Sequence, residues 1–403
     1  MLAFPPPPAL RALQLIVTAD CNLRCSYCYQ NDKKRERMSW DVAQPALDRL
    51  LASTRDDVEI LFIGGEPLTE LPLIRQAVAY LQDHRRSGQR IRHSIITNGT
   101  LMGPEEARFF ADHGFQINLS FDGVAAAQDF RGRGTFARLD RLLTYLRTEY
   151  PALFDQRLKV QMTALPETLA YLPASVEYLL IEKRVERLVI APQFDETVAW
   201  EPGRIDELDA AFAGVFDVCL RRLRETGDVP LELFQHTGGR PRPAGPVKMC
   251  GVGRGDQLAV DVDGRTHGCV AFVESYQRFT NPALQSRIES MRLGDLRAPG
   301  YEAGRTVFPL AVVSAEIFDH KELKGSSYGQ CGTCEYLHEC SICPISVGRA
   351  PGDDPHRIPD FACAFSLVSL KYRHRFPRVR PLHERLMGPR APIGVPMPAG
   401  TGA

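Results

Sequence analysis

The sequence has no excess of either charge: Lys and Arg together number 49, and so do Asp and Glu. A balanced chain has no bulk attraction to nucleic acid or to an anionic membrane surface, so neither is expected as a partner. No apolar run approaches the stretch of about 18 residues needed to cross a bilayer. The start, Met1-Leu-Ala-Phe-Pro-Pro-Pro-Pro, lacks a basic segment followed by an apolar one and does not read as a secretion signal. With export excluded on these grounds, the expected location is the reducing cytoplasm. There the 11 cysteines are better explained by metal or cluster ligation than by disulfides.

Three of those cysteines stand close together, in Cys21-Asn-Leu-Arg-Cys25-Ser-Tyr-Cys28, directly after the apolar run Leu13-Gln-Leu-Ile-Val-Thr18. A strand ending in three thiolates is a device for holding a cluster or a metal at the mouth of a fold. Three protein ligands leave one iron of a [4Fe–4S] cluster open. A zinc site is the competing reading, although structural zinc usually closes with a fourth Cys or His, and no His follows Cys28 for some distance.

The first half of the chain alternates strand-like and helix-like segments. Apolar, β-branched runs occur at Leu13–Thr18, Val58–Ile63, Ser94–Thr97, Gln116–Phe121, Lys159–Ala164 and Arg187–Ala191. Between them lie helical stripes. Ser39 is placed to cap a helix whose Ala43, Ala46, Leu47, Leu50 and Leu51 share one face, and Ile74, Ala77, Val78 and Leu81 form another stripe. Six βα repeats predict an α/β fold with a parallel sheet: a partial, open (β/α)6 barrel of the TIM type, or a doubly wound sheet. Either architecture puts chemistry at the carboxyl ends of the strands. Those ends are polar here: Cys21 after the first, Gly64-Gly65-Glu66-Pro67 after the second, Asn98-Gly99 after the third and Ser120-Phe-Asp122-Gly123 after the fourth. Farther on, Gln161, Thr163, Gln193 and Asp195 are candidate substrate contacts.

These motifs together resemble the radical S-adenosylmethionine (SAM) enzymes. The resemblance implies that Cys21, Cys25 and Cys28 bind a [4Fe–4S] cluster whose open iron takes SAM. It also implies that Tyr27 is the aromatic residue usual before the third cysteine. Gly64, Gly65 and Glu66 resemble the turn that receives the methionine ammonium. Asn98 and Ser120 fall where polar contacts to SAM are expected, and Arg131 matches an arginine that pairs with its carboxylate. A zwitterionic methionine group needs an anion and a cation, and Glu66 and Arg131 would supply that pair.

The helical pattern over Ile205–Leu223 places Cys219 among core residues. A Pro/Gly-rich stretch from Thr237 marks a boundary, giving a barrel over 1–236, a cysteine-rich, loop-rich domain over 237–387 and a disordered Pro/Gly-rich tail over 388–403. The late cysteines are Cys250, Cys269, Cys331, Cys334, Cys340, Cys343 and Cys363, with Gly264 preceding Cys269 by five positions. A zinc ribbon is one reading of paired CxxC motifs. Their spacing resembles the SPASM extension of radical SAM enzymes, departing from it in having two residues rather than three between Cys340 and Cys343. The resemblance implies two auxiliary [4Fe–4S] clusters, one on Cys331, Cys334, Cys340 and Cys363, the other on Cys250, Cys269 and Cys343 with an unidentified fourth ligand. His267 and His338 are placed near enough in sequence to supply it.

By the same resemblance the substrate is a peptide or protein side chain, and the chain is a peptide maturase that forms a crosslink (thioether or carbon–carbon) or an oxidised residue. It would draw electrons from a donor such as flavodoxin or ferredoxin. Formylglycine formation on a sulfatase is weakened because Val270, not an acid, follows Cys269, and because Asp261 and Asp263 are expected to face solvent or a turn. An oxidoreductase acting on a small molecule and a non-enzymatic cluster or zinc scaffold are the remaining alternatives. Only about a dozen residues precede the first strand, too few for a leader-recognition domain, so the peptide is expected to be recognised by the barrel and C-terminal region or brought by a separate leader-binding protein.

Overall fold

The computed structural model describes residues 9–30, 33–193, 200–235, 256–273, 275, 289, 292–298, 320–343, 354 and 356–378. Cys250, Asp195, the 236/237 boundary and the tail from 388 lie outside the described residues.

Six strands form the body of one sheet: β1 (Ala12–Thr18), β2 (Asp57–Gly64), β3 (Arg90–Thr97), β4 (Gln116–Ser120), β5 (Leu158–Ala164) and β6 (Leu188–Pro192). All five pairings among them are parallel, and the spatial order is the chain order, β1 through β6. A doubly wound sheet would reverse direction once; this one never does, so successive right-handed crossovers stack their helices on one face. That is the partial-barrel arrangement. The crossovers carry α1 (Trp40–Leu51), α2 (Leu71–His84), α3 (Pro104–Asp112), α4 (Ala125–Gln128), α5 (Phe136–Glu149), α6 (Pro151–Arg157) and α7 (Leu172–Glu177). Helix α8 (Ile205–Thr226) follows β6. Among the described residues, no helix is long and apolar enough to cross a membrane.

Period-two alternation assigns the two faces of the sheet. Leu13, Leu15 and Val17 of β1 join the large core beneath the helices, while Ile16 belongs to a small cluster on the opposite face with Ile63 and Ala259. In β5, Leu158, Val160, Met162 and Ala164 are buried in the main core. Lys159, Gln161 and Thr163 therefore take the other face. Helix α1 buries Val42, Ala43, Ala46, Leu47 and Leu50 as its stripe requires, but Ser39, although at the N-cap, makes no side-chain capping bond. Cys219 is fully buried in α8, a core residue.

The described residues of the cysteine-rich segment pack against the barrel. Its first strand, β7 (Gln257–Val260), pairs in parallel with β1 and extends the barrel sheet on the side away from β2. The antiparallel β8 (Arg265–His267) and the short β9 (Gly294–Asp295) follow. Cys363 lies on a 16-residue helix, α9 (Asp360–Arg375), rather than in a loop. Phe361, Ala364, Phe365, Val368 and Tyr372 of α9 belong to the main core. Phe365 packs edge-on against Phe212 of α8 at 5.3 Å, and Lys371 pairs with Asp209 at 2.6 Å. Aromatic burial of this size welds both halves of the chain into one hydrophobic body.

Candidate active site

The cysteine loop is held at the carboxyl edge by backbone closure of β2 onto β1. Gly65 N–H donates to Thr18 C=O and Glu66 N–H to Asp20 C=O, each at 2.9 Å, leaving Cys21 as the next residue out. Gly65 is required by contact: a Cβ there would lie 2.1 Å from the Asp20 carbonyl oxygen. Gly65→Ala is expected to cost about 1–3 kcal/mol through this overpacking. It is also expected to displace the loop, read as a lower urea midpoint together with reduced iron loading; an unchanged midpoint and full iron would refute the contact argument.

Glu66 is fully buried, and its carboxylate accepts from Thr97 Oγ1 at 2.6 Å, Asn98 N–H at 2.7 Å and Leu68 N–H at 3.1 Å. Burial pushes its pKa up to about 7, against the pull of those three donors. It is thus a strut joining the ends of β2 and β3. Asn98 continues the connection, donating through Nδ2 to Asn22 Oδ1 at 2.9 Å, while Asn22 donates to Thr100 Oγ1 at 2.8 Å. Ser120, half-buried, ends β4 opposite Gln161 in β5.

On its other side the loop is clasped through Asp122, which sequence reasoning saw only as a turn residue. Its carboxylate accepts from Arg131 Nη2 at 2.8 Å, Arg131 Nε at 3.1 Å, Thr163 N–H at 2.8 Å and the Tyr27 hydroxyl. The Arg131 guanidinium lies over the Tyr27 ring at 5.3 Å. Arg131 is thus placed beside the cysteines but spends its bidentate fork on Asp122. Ser26 N–H donates to Phe130 C=O at 3.0 Å and Lys33 donates to Leu23 C=O, so the loop is pinned at several points. An open cleft of about 480 Å³ borders Cys21, rimmed by Arg24, Lys33, Arg35 and Arg37 with Asp20 as its acid.

Cys21, Cys25 and Cys28 are all half-buried. Burial pushes Cys25 up to about 11, opposed by the Arg131 charge and reinforced by the neighbouring Cys28. Cys21 is also raised by burial, with the Leu23 N–H opposing. Thiols that resist ionising alone, gathered on one short loop, fit a metal cluster whose positive charge draws off their protons.

The late cysteines divide. Cys331, Cys334, Cys340 and Cys363 line one shared cavity, brought together from the turn Cys331–Thr333, the loop beyond it and α9. Among the described residues, no three Cys, His, Asp or Glu side chains converge where a single metal ion would sit. Burial pushes Cys363 up to about 12, against a hydrogen bond from Ser326 Oγ at 3.1 Å, and the other three thiols add to the rise. Cys343 does not line that cavity, and Cys269 lies beyond β8; their expected companion Cys250 is outside the described residues. His267, one of the two candidate fourth ligands, is fully buried with neither ring nitrogen hydrogen-bonded, and burial lowers its pKa to about 3. His338 is exposed. Asp261, expected to face solvent or a turn, is instead fully buried, accepting from Val262 N–H at 2.8 Å and Ser275 N–H at 3.0 Å at the foot of the β7–β8 turn. Of the candidate substrate contacts, Gln161 and Thr163 share the open face of the sheet, and Gln193 is buried with its Nε2 unbonded.

Residues 15–179 match the family model described as the Radical SAM superfamily. An uncharacterized protein of Methanocaldococcus jannaschii is 33% identical over 198 residues, 46% of this chain and 68% of that protein. A serine-type anaerobic sulfatase-maturating enzyme of Klebsiella aerogenes is 34% identical over 128 residues, 29% of this chain and 32% of the relative. The chain therefore matches about a third of that enzyme's length. The solved structure of native anSMEcpe with bound AdoMet and Kp18Cys peptide has a TM-score of 0.66 at 17% identity, covering 90% of this chain and 97% of that one. At that identity the likeness is one of fold. The matched stretch begins within β1, takes in the cysteine loop and the carboxyl ends of β2 through β5, and so contains every element that grips the three thiols; the chain belongs to the radical SAM superfamily, enzymes that use S-adenosylmethionine and a [4Fe–4S] cluster.

Proposed function

We propose that the chain is a peptide-modifying enzyme that removes hydrogen from a side chain of a ribosomally made peptide and leaves a crosslink (thioether or carbon–carbon) or an oxidised residue. The observation that carries this reading is the second thiol centre, Cys331, Cys334, Cys340 and Cys363, lining one cavity beside α9, a helix packed into the same core as the barrel strands. Likeness in fold to an enzyme solved with a peptide bound supports it. With a [4Fe–4S] cluster on Cys21, Cys25 and Cys28, S-adenosylmethionine supplies a 5′-deoxyadenosyl radical able to take hydrogen from an unactivated C–H bond.

This chain's residues hold and orient those groups. The Gly64–Gly65 backbone takes the methionine ammonium in preference to Glu66, whose carboxylate is buried under three donors. Asn98 and Ser120, at the ends of β3 and β4, would supply polar contacts to the bound S-adenosylmethionine. Arg131 serves first to hold Tyr27 and the loop through Asp122, and its charge is what it offers the methionine carboxylate. Cys331, Cys334, Cys340 and Cys363 carry one auxiliary [4Fe–4S] cluster, and Cys250, Cys269 and Cys343 the other. An electron donor such as flavodoxin or ferredoxin supplies electrons in the cytoplasm, and the peptide is recognised by the barrel and C-terminal region or delivered by a separate leader-binding protein.

Formylglycine formation is the second reading, favoured by the sulfatase-maturating relative. It lacks a base in the expected place, since Val270 follows Cys269 and Asp261 is closed off by Ser275. Anaerobic incubation with S-adenosylmethionine, a reductant and candidate peptides, followed by mass analysis, tests both. A peptide that loses two hydrogens and does not react with a hydrazide supports a crosslink or dehydrogenation; a hydrazide-reactive product is formylglycine. Cleavage of S-adenosylmethionine with every peptide unchanged would sink the proposal.

A further inference from the structure

Two lysines in the cysteine-rich segment are out of reach of water: Lys321 is 2% exposed and Lys324 0%. Burying an ammonium costs several kcal/mol unless an opposite charge answers it. Lys321 opens the short turn Lys321–Leu323, and its Nζ donates to Leu337 C=O at 2.8 Å and to Cys340 C=O. Both acceptors are neutral. No carboxylate pairs with Lys321 among the described residues. The charge facing it comes from another quarter, because Lys321 lines the same cavity as Cys331, Cys334, Cys340 and Cys363.

Four thiolates around an iron–sulfur core carry net negative charge, and more of it after each added electron. A fixed cation at the cavity wall stabilises the reduced form over the oxidised one and so raises the reduction potential. We propose that Lys321 is the counter-charge of the C-terminal cluster: it sets the potential of that centre and positions Cys340 through its carbonyl. This rests on the reading of the four cysteines as cluster ligands. It accounts for a buried ammonium that no carboxylate among the described residues pairs with, which a purely structural lysine would leave unexplained.

The test is a redox titration of the full-length, anaerobically reconstituted protein, followed by electron paramagnetic resonance, in which dithionite gives one electron to each cluster. Lys321→Gln keeps a hydrogen-bond donor but removes the charge. Iron and sulfide content should hold, while the midpoint of one cluster falls by at least tenfold in its equilibrium, about 59 mV for one electron. Lys321→Arg should stay near the wild-type midpoint. Unchanged midpoints in Lys321→Gln with full iron would reduce Lys321 to a hydrogen-bonding staple and overturn the proposal. Equal loss of iron from the Gln and Arg variants would overturn it as well. A Cys331→Ala/Cys334→Ala variant with wild-type iron content would instead remove the cluster reading itself, and the proposal with it.

Discussion

Alanine at Cys21, Cys25 and Cys28 together abolishes cleavage of S-adenosylmethionine and removes one cluster's share of iron, while the C-terminal iron stays. The expected loss is complete, because in the proposed reading the three thiols are the whole protein ligand set of that centre. Five of the other described thiols are placed elsewhere: Cys219 inside α8, and Cys331, Cys334, Cys340 and Cys363 around a cavity walled by α9. The loop is also dispensable to the main core. Among its residues only Tyr27 and, just beyond, Gln30 are buried, so the substitutions remove ligands without opening a large cavity. Iron and sulfide quantitation beside a 5′-deoxyadenosine assay reads both halves of the result. If the triple variant loses all its iron, the two thiol centres are not independent, and the division of the cysteines drawn above fails.

How much of this was legible beforehand follows from the range of the interactions. The six barrel strands were each anticipated to within about four residues, because period-two alternation and a polar strand end are local signals. The cysteine loop and the Gly64–Glu66 turn are local too. Asp122 is not. Its partners Tyr27, Arg131 and Thr163 lie 95, 9 and 41 positions away, and a carboxylate in Ser-Phe-Asp-Gly has the look of any strand-end turn. Glu66 reads from the sequence as a ligand contact; that Thr97 and Asn98 also donate to its oxygens follows from the short reach between β2 and β3, which the sequence does not show. Helix α9 is legible in principle, since Phe361, Ala364, Phe365, Val368 and Tyr372 follow helical spacing, whereas the spacing of the cysteines before it carries no helical signal. Nothing in the sequence distinguishes Lys321 from a surface lysine. Burial of a charge is a tertiary fact.

Asp122→Ala is expected to destabilise the protein by about 3–5 kcal/mol, the largest stability loss from any single polar side chain near the site. Asp122 is 3% exposed and Arg131 8%. Removing the carboxylate strands a buried guanidinium whose Nε and Nη2 both pointed at it, leaving Thr163 Oγ1 at 3.4 Å as a weak substitute. It also orphans the Tyr27 hydroxyl and the Thr163 N–H. Tyr27→Phe breaks just one of these bonds, to a charged acceptor, and should cost about 1.5–3 kcal/mol. The two effects share one network, so the double variant Tyr27→Phe/Asp122→Ala should cost less than their sum. Anaerobic urea unfolding of the four proteins completes the cycle. Because Asp122 joins the cysteine loop to the ends of β4 and β5, the alanine variant should also load iron poorly at Cys21, Cys25 and Cys28 while keeping the C-terminal centre. An Asp122→Ala protein within about 1 kcal/mol of wild type would mean that Arg131 finds its counter-charge elsewhere, and that the loop is held by its backbone alone.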